Sequence, residues 1–550
     1  MIKAERVYLN AIIYTVNKNF DIAQAMAVSD GKIVFIGNTK DAKNYIGDNT
    51  EVIDVLGKTI TPGFIEGHTH LQSYGESLLR IPIRDKSKQE ILMMIKQAVK
   101  AIDPGEWLLG GMGWNNEVWE DPSYPTKEEL DTAAPDNPVL MPRMDGHMIW
   151  VNSKALEIAG INDSTPDPVG GEYLRKPDGT LLGCMSNNAC KPIREAVPQP
   201  SQEQRKRALL TAQEKLLEYG VTTVTEAFGT VTNLNDIKEL IKNGEFRIRY
   251  YGALGSLKSA TVPIKEENAE DMQREFDEFI KECPQIGLFN DHYTVRSLKL
   301  AADGSVGAQS AAHFEEFCDR PGSSGRLMYS DEEMYKTIEL GVKHGMQAIV
   351  HAIGDMAIDQ TLRVYKKILC DYPNSDHRFR IEHFQLVTGD SRERARDLGV
   401  VASMQALHAP NSARMALRRL GPDRASRAYA SGLVLKVLGK VAGGSDAPVA
   451  PPDIIAGIHA AVTRTNNELE PKCGFFPENS LTVQEALKSY TIWGAYAQFA
   501  DDVRGSLEKG KCADFVILDK DIVSLKGHEI LKVNVDETII AGKTEYKREY

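Results

Sequence analysis

The chain is poor in cysteine, with seven in 550 residues, and no two stand as Cys-x-x-Cys. Odd in number and scattered (184, 190, 283, 318, 370, 473 and 512), they suit neither a disulfide framework nor a thiolate zinc site. No apolar run approaches the roughly 18 residues that cross a bilayer, so neither a transmembrane helix nor a membrane partner is expected. The opening, MIKAERVYLN, is too polar for a secretory signal, and the cytoplasm is the expected location. A basic excess is missing too. Against 77 Asp+Glu stand 65 Lys+Arg, a net charge of -12, which argues against nucleic acid as a partner. Gly110-Gly111-Met112-Gly113 is not a dinucleotide fingerprint, because no Gly-x-Gly-x-x-Gly opens a helix there. Gly443-Gly444-Ser445 lacks the Gly-x-Ser-x-Gly elbow of a nucleophilic serine.

What is present fits a soluble globular protein with a full core. Both ends are rich in short strands. Val7–Val16, Gln24–Ser29 and Lys32–Ile36 lead the chain, with Asp30-Gly31 as a hairpin turn. Asp514–Leu518 and Glu537–Ile540 close it. One small sheet domain built from residues 1–57 and 496–550 is expected. Between them, strand and helix patterns alternate over residues 58–495, as in a (β/α)8 barrel. Its apolar strand runs are Ile60–Ile65, Val139–Pro142, Val221–Thr225, Ser297–Ala301, Gln347–His351, Arg380–His383, Val400–Gln405 and Lys440–Gly443. Asp103–Pro200, rich in Pro, Gly, Trp and Asn, is too long for a plain connection and reads as an inserted cap near the active site.

Thr61-Pro-Gly-Phe-Ile-Glu-Gly-His68-Thr-His70 ends the first barrel run. Side chains alternate along a strand, so His68 and His70 share a face and can grip one ion. Alone the pair is as well read as structural. Ala348-Ile-Val-His351, Arg380-Ile-Glu-His383 and Ala442-Gly-Gly-Ser-Asp446 then end later runs, at the barrel face where active sites lie. A lone strand-end His is more often a hydrogen-bonded core residue, and a lone Asp more often caps a turn. Taken jointly, they make the donor set of a hydrolytic metal site.

With these segments in view, the sequence resembles the amidohydrolase superfamily, and within it the branch that includes N-substituted formamide deformylase. The resemblance runs nearly end to end. It takes in IVFIGN, TPGFIEGHTH, GWNNEVW at Gly113–Trp119, DGHMIWVNSKAL at Asp145–Leu156, LKLAADGS at Leu298–Ser305, VHAIGD, RIEHFQ, GGSDAPV, AVTRTN and GSLEKGKCADFVILD. It implies an α/β fold: a (β/α)8 TIM-type metallo-hydrolase barrel with a small β-sandwich from both termini and an inserted cap. It also implies Lys299 as a bridging ligand, carboxylated by CO2, although a plain buried lysine is the competing reading. His68, His70, Lys299 and Asp446 would hold the inner ion, and Lys299, His351 and His383 the outer one. Imidazole and oxygen donors suit zinc, with iron, manganese and nickel as alternatives, at one or two ions per chain. Asp446 would carry the water proton to the leaving nitrogen. A homodimer or larger homo-oligomer is a further implication.

The expected function is metal-dependent hydrolysis of a non-peptide C–N bond in a small molecule, an N-substituted formamide or N-acyl amine. Other hydrolysis (cyclic amide, carbamate, ester) or deamination on the same site is the first rival. A catalytically silent binding or regulatory protein is the second. His147, Trp114, Asp303 and His408 are candidate substrate contacts; the first three also have structural readings, with packing within the insertion for Trp114 and a loop or ligand hydrogen bond for Asp303, while His408, just past the seventh strand run, could face the cavity. Arg424 and Arg464 read as surface or packing residues unless one holds a substrate carboxylate. Three segments depart from the pattern of such enzymes. Ser186 and Asn187 stand where an acidic residue is common, Ala406 where proline is common, and Thr225-Glu226-Ala227 in place of a His-Asp segment.

Overall fold

The computed structural model describes residues 3–549, apart from 85, 112, 117–118, 144–147, 169–170 and 260–265. Eight parallel strands form a barrel: β1 (Phe64–Thr69), β2 (Val221–Gly229), β3 (Arg249–Gly255), β4 (Tyr293–Ala301), β5 (Gln347–Ala352), β6 (Arg380–His383), β7 (Val401–Gln405) and β8 (Val441–Gly444). They are hydrogen-bonded in chain order. Their apolar residues are buried almost throughout, as expected for a parallel sheet covered by helices. Helices such as Asp331–Lys343 and Asp355–Asp371 link them; the first opens on a capping box between Ser330 and Glu333.

The circle closes where β1 meets the residues just past β8. The Asp446 N–H donates to the His68 carbonyl (2.8 Å), and the His70 N–H to the Ala447 carbonyl (2.9 Å). Two glycines make this seam possible. A Cβ on Gly67 would lie 2.4 Å from the Gly443 oxygen, and one on Gly444 would lie 2.7 Å from the His68 nitrogen. No side chain fits between the two backbones there.

The terminal segments supply two facing sheets. The four-stranded one runs Lys32–Gly37, Ala25–Ser29, Arg6–Leu9, Glu51–Asp54. The six-stranded one runs Lys543–Lys547, Val535–Ile540, Phe515–Leu518, Thr59–Pro62, Ile12–Tyr14, Ile22–Ala23, so its strands come from both chain ends. Tyr8, Ile13, Met26, Ile33, Ile60, Phe515 and Ile539 pack in their common core. The Asp30-Gly31 hairpin has both residues at positive φ (49° and 68°), as a type I′ turn requires.

Two strand readings need correction. The run Ile60–Ile65 is broken at Gly63: Thr59–Pro62 pairs with Phe515–Leu518 in the terminal sheet, and β1 starts only at Phe64. Val139–Pro142 is not a barrel strand. It belongs to a five-stranded sheet in the insertion, and the missing barrel strand is β3. β3 hid behind Arg249, a charge at the head of an apolar run. That guanidinium is buried because Asp514, 265 residues later, pairs with it at 2.6 Å.

Residues 72–211 form a compact unit of their own. Its sheet runs Gly171–Arg175, Leu181–Asn187, Met148–Val151, Val139–Pro142, Leu108–Leu109. Trp114, Trp119 and Trp150 sit at its core with Ile91, Ile95 and Leu130.

The seam yields a first prediction. Gly67→Ala should cost about 2 kcal/mol or more by overpacking. Gly389→Ala, where a Cβ meets only the tip of Arg392 at 4.0 Å, should stay within about 0.5 kcal/mol. Chemical denaturation of the two variants beside the parent measures both; equal midpoints would show that the seam tolerates a side chain.

Candidate metal centre

The C-terminal ends of the barrel strands bring His68, His70, Lys299, His351, His383 and Asp446 to one place. His68 and His70 leave β1 on the same side, and their Nε2 atoms lie 3.4 and 3.3 Å from one oxygen of Asp446. The His351 and His383 rings meet edge to face at 4.5 Å, and the His68 ring lies 5.0 Å from that of His383. Lys299 projects from β4 and is buried; among the described residues its ammonium makes no hydrogen bond or ion pair. Donor atoms of His68, His70 and Asp446 lie within 4.8 Å of one another, as do those of His383, His408 and Asp446.

Two of these residues reach the site by an unusual backbone. On β6, Arg380 and Glu382 face inward, so regular alternation would turn His383 outward. His383 instead adopts φ +68°, and Asp446 adopts φ +63°. Non-glycine residues seldom enter this left-handed region, and those that do cluster at functional sites.

Each imidazole is oriented by a partner on its other nitrogen. His68 Nδ1 bonds the Glu382 carboxylate, which also pairs with Arg380 at 2.7 Å. Glu226 stands 3.8 Å from His70 Nδ1 and accepts the N–H groups of Leu71 and Phe228. His383 Nδ1 donates to Gln405 Oε1 at 2.7 Å. His351 Nε2 donates to the Gly304 carbonyl at 3.1 Å. For His68, His383 and His351 the hydrogen bond pins one nitrogen as N–H and leaves the other with a free lone pair, the tautomer a metal ligand needs. Among the described residues His68 Nε2 is buried and makes no well-formed hydrogen bond, with only the Asp446 oxygen near it at 3.4 Å. A buried polar atom of this kind calls for an occupant, so these donors fit a divalent cation.

Electrostatics agree with that reading. Burial works against the charge on Asp446, yet His68 and His70 hold its carboxyl well below the ordinary range. Burial pushes His351 down to about 4 and His383 well below its usual value, which keeps both neutral. Burial also lowers the Lys299 ammonium.

The weaker candidates separate. Asp303 is spent on backbone: its carboxylate accepts the N–H groups of Ala312, Ile353 and Gly354 at 2.8–3.0 Å. It lies 3.7 Å from His351 Nε2, so it braces loops beside a site residue rather than facing a substrate. Trp114 is fully buried, stacked on Trp119 at 5.8 Å and bonded to the Met141 carbonyl. It is a packing residue, not a pocket wall. Arg424 clamps the carbonyls of Glu315, Glu316 and Leu420, and Arg464 that of Phe475. His147 lies outside the described residues. His408 is brought to the site, as its grouping with His383 and Asp446 shows.

Sequence reasoning missed the acidic shell. Glu66, on the face of β1 that carries His68, accepts the N–H groups of His68 (3.0 Å) and Ser445 (2.8 Å) and so ties β1 to the end of β8. Burial raises its carboxyl to about 7. Glu66 stands two residues before His68 and Glu382 directly before His383, and that adjacency was the only local signal.

Comparison with known proteins agrees with this geometry. The sequence model described as the amidohydrolase family matches residues 51–546. The chain belongs to that family, a class of metal-dependent hydrolases. It is 33% identical to Protein LONG AFTER FAR-RED 3 of Arabidopsis thaliana over 99% of this chain and 92% of that one. It is 26% identical to N-substituted formamide deformylase of Arthrobacter pascens, over 98% of each. An uncharacterized metal-dependent hydrolase from Pyrococcus furiosus has the same fold, with a TM-score of 0.75 at 26% identity over 94% of this chain and 100% of that one.

The Glu382–His68 bond can be tested by metal titration. Glu382→Gln should weaken binding of the tighter ion by about 10- to 100-fold. Unchanged affinity would mean that His68 is oriented without it.

Proposed function

We propose that the chain hydrolyses a non-peptide C–N amide bond in a small molecule, an N-substituted formamide or N-acyl amine. The observation that carries this is the Asp446 carboxylate, within 3.4 Å of two imidazole nitrogens at the mouth of the barrel. The deformylase relationship over nearly the whole chain supports the substrate class.

His68, His70, Lys299 and Asp446 would hold an inner divalent ion, and Lys299, His351 and His383 an outer one. Zinc suits these donors. When bound, such ions polarise a carbonyl and acidify water. The chain's own groups do the rest. Asp446 stays ionised, so it accepts the proton of the attacking water. Its two imidazole neighbours keep the carboxylate aimed at one point. It then returns the proton to the amide nitrogen, which departs as a neutral amine instead of a strongly basic anion. Lys299 is suited to carboxylation because it is buried, makes no hydrogen bond or ion pair among the described residues and is held toward its neutral form, and a neutral amine is what captures CO2. Its carbamate would supply the bridging anion between two cations.

Stripping metal with a chelator should abolish hydrolysis, and zinc plus bicarbonate should restore more activity than zinc alone. Carbon-13 bicarbonate should yield a carbamate resonance that Lys299→Ala lacks; a spectrum identical in both proteins would exclude the carboxylated lysine. In a panel of N-substituted formamides, N-acyl amines, esters, cyclic amides and aminopurines, the first two should turn over fastest. Asp446→Asn should lower that rate by about 100-fold or more, the scale of a lost general base. Faster release of ammonia from aminopurines would overturn the amide assignment in favour of deamination.

A further inference from the structure

His408 is left over by this ligand scheme, and its surroundings resemble those of the ligands themselves. It follows β7 by three residues and opens the short helical turn His408–Asn411. Gln405, at the end of the same strand, holds His383 Nδ1, so one strand end both aims the His383 ring and delivers the His408 ring. The two rings lie nearly parallel (13°), with centroids 6.3 Å apart. Among the described residues His408 Nε2 is buried and has no hydrogen-bond partner. Donor atoms of His383, His408 and Asp446 fall within 4.8 Å of one another. Among the described residues His351 forms no such trio; its Nε2 is committed to the Gly304 carbonyl, which leaves only Nδ1 to offer.

We infer that His408 is a metal ligand: with His383 and Asp446 it completes the outer cation position, which the six-residue scheme left to Lys299, His351 and His383. The inference rests on the metal-centre reading above. The geometry has one carboxylate, Asp446, serving two imidazole pairs, His68/His70 for the inner ion and His383/His408 for the outer. A buried imidazole nitrogen that makes no hydrogen bond among the described residues and stands beside a carboxylate is a donor that a cation can complete. The four imidazoles and one carboxylate are nitrogen and oxygen donors of the kind that zinc and cobalt share.

The test uses the full-length protein, stripped of metal and titrated with Co2+ against a competing chelator, with visible absorption as the readout. The parent should bind two equivalents. In His408→Ala the weaker equivalent should lose at least tenfold in affinity and its cobalt spectrum should change, while the tighter one keeps its constant. His408→Gln, which retains bulk and a polar tip, should weaken the same equivalent. Circular dichroism and the midpoint of the metal-free variants check that the barrel is intact; a change limited to unfolded protein would not count as loss of a ligand. If both constants and the spectrum match the parent in both folded variants, His408 is not a ligand. A raised KM with unchanged metal constants would likewise overturn the proposal and make it a substrate contact. His68→Ala separates the two layers of argument. It should abolish the tighter equivalent, and if it does not, the metal-centre reading fails before His408 is at issue.

Discussion

The seam between β1 and the end of β8 is the constraint on which the centre depends. A barrel sheet has no free edge only if its first and last strands meet. Here they meet through backbone hydrogen bonds that involve the candidate donors themselves: the Asp446 amide on the His68 carbonyl, the His70 amide on that of Ala447. Glu66 adds a side-chain clasp across the same seam. Closing the fold and setting the spacing of His68, His70 and Asp446 are therefore one event. The glycines at 67 and 444 belong to the chemistry as much as to the packing, because a side chain at either would part the strands and the donors together.

Around the donors the barrel buries Glu66, Glu226 and Glu382, with Arg380 among them. Isolated charges in such a place would be costly. They are tolerated because each carboxylate is engaged: Glu66 and Glu226 by backbone N–H groups, Glu382 by Arg380 and His68. A cation would add compensation from the inside. The pocket is thus arranged around positive charge, and its acidity is local and unrelated to the chain's net charge.

The barrel, the terminal strands, the four strand-end histidines and Asp446 left local marks, namely alternating strand patterns, a turn dipeptide and donors at strand ends, whereas Lys299 was singled out only by the family resemblance. What escaped depended on partners distant in sequence. β3 was hidden because Arg249 looks like a surface residue until Asp514 is known to sit beside it. Val139–Pro142 has the composition of a barrel strand, and only its pairing with Leu108–Leu109 and Met148–Val151 places it elsewhere. Trp114 was ambiguous between pocket and core, and Met141 and the neighbouring tryptophans decide it. The acidic shell was missed since a lone glutamate beside a histidine carries no motif of its own.

The left-handed turns at His383 and Asp446 release side-chain direction from the alternation of the strand. On a regular strand, a wall-forming residue and a ligand cannot be sequence neighbours and still face the same cavity. Here Glu382 lines the barrel and His383, one residue on, also reaches inward. The strand thereby provides two consecutive inward groups, a supporting charge below and a donor above, without lengthening the barrel by a further layer. Depth that would otherwise need another turn of every strand is gained from two peptide units.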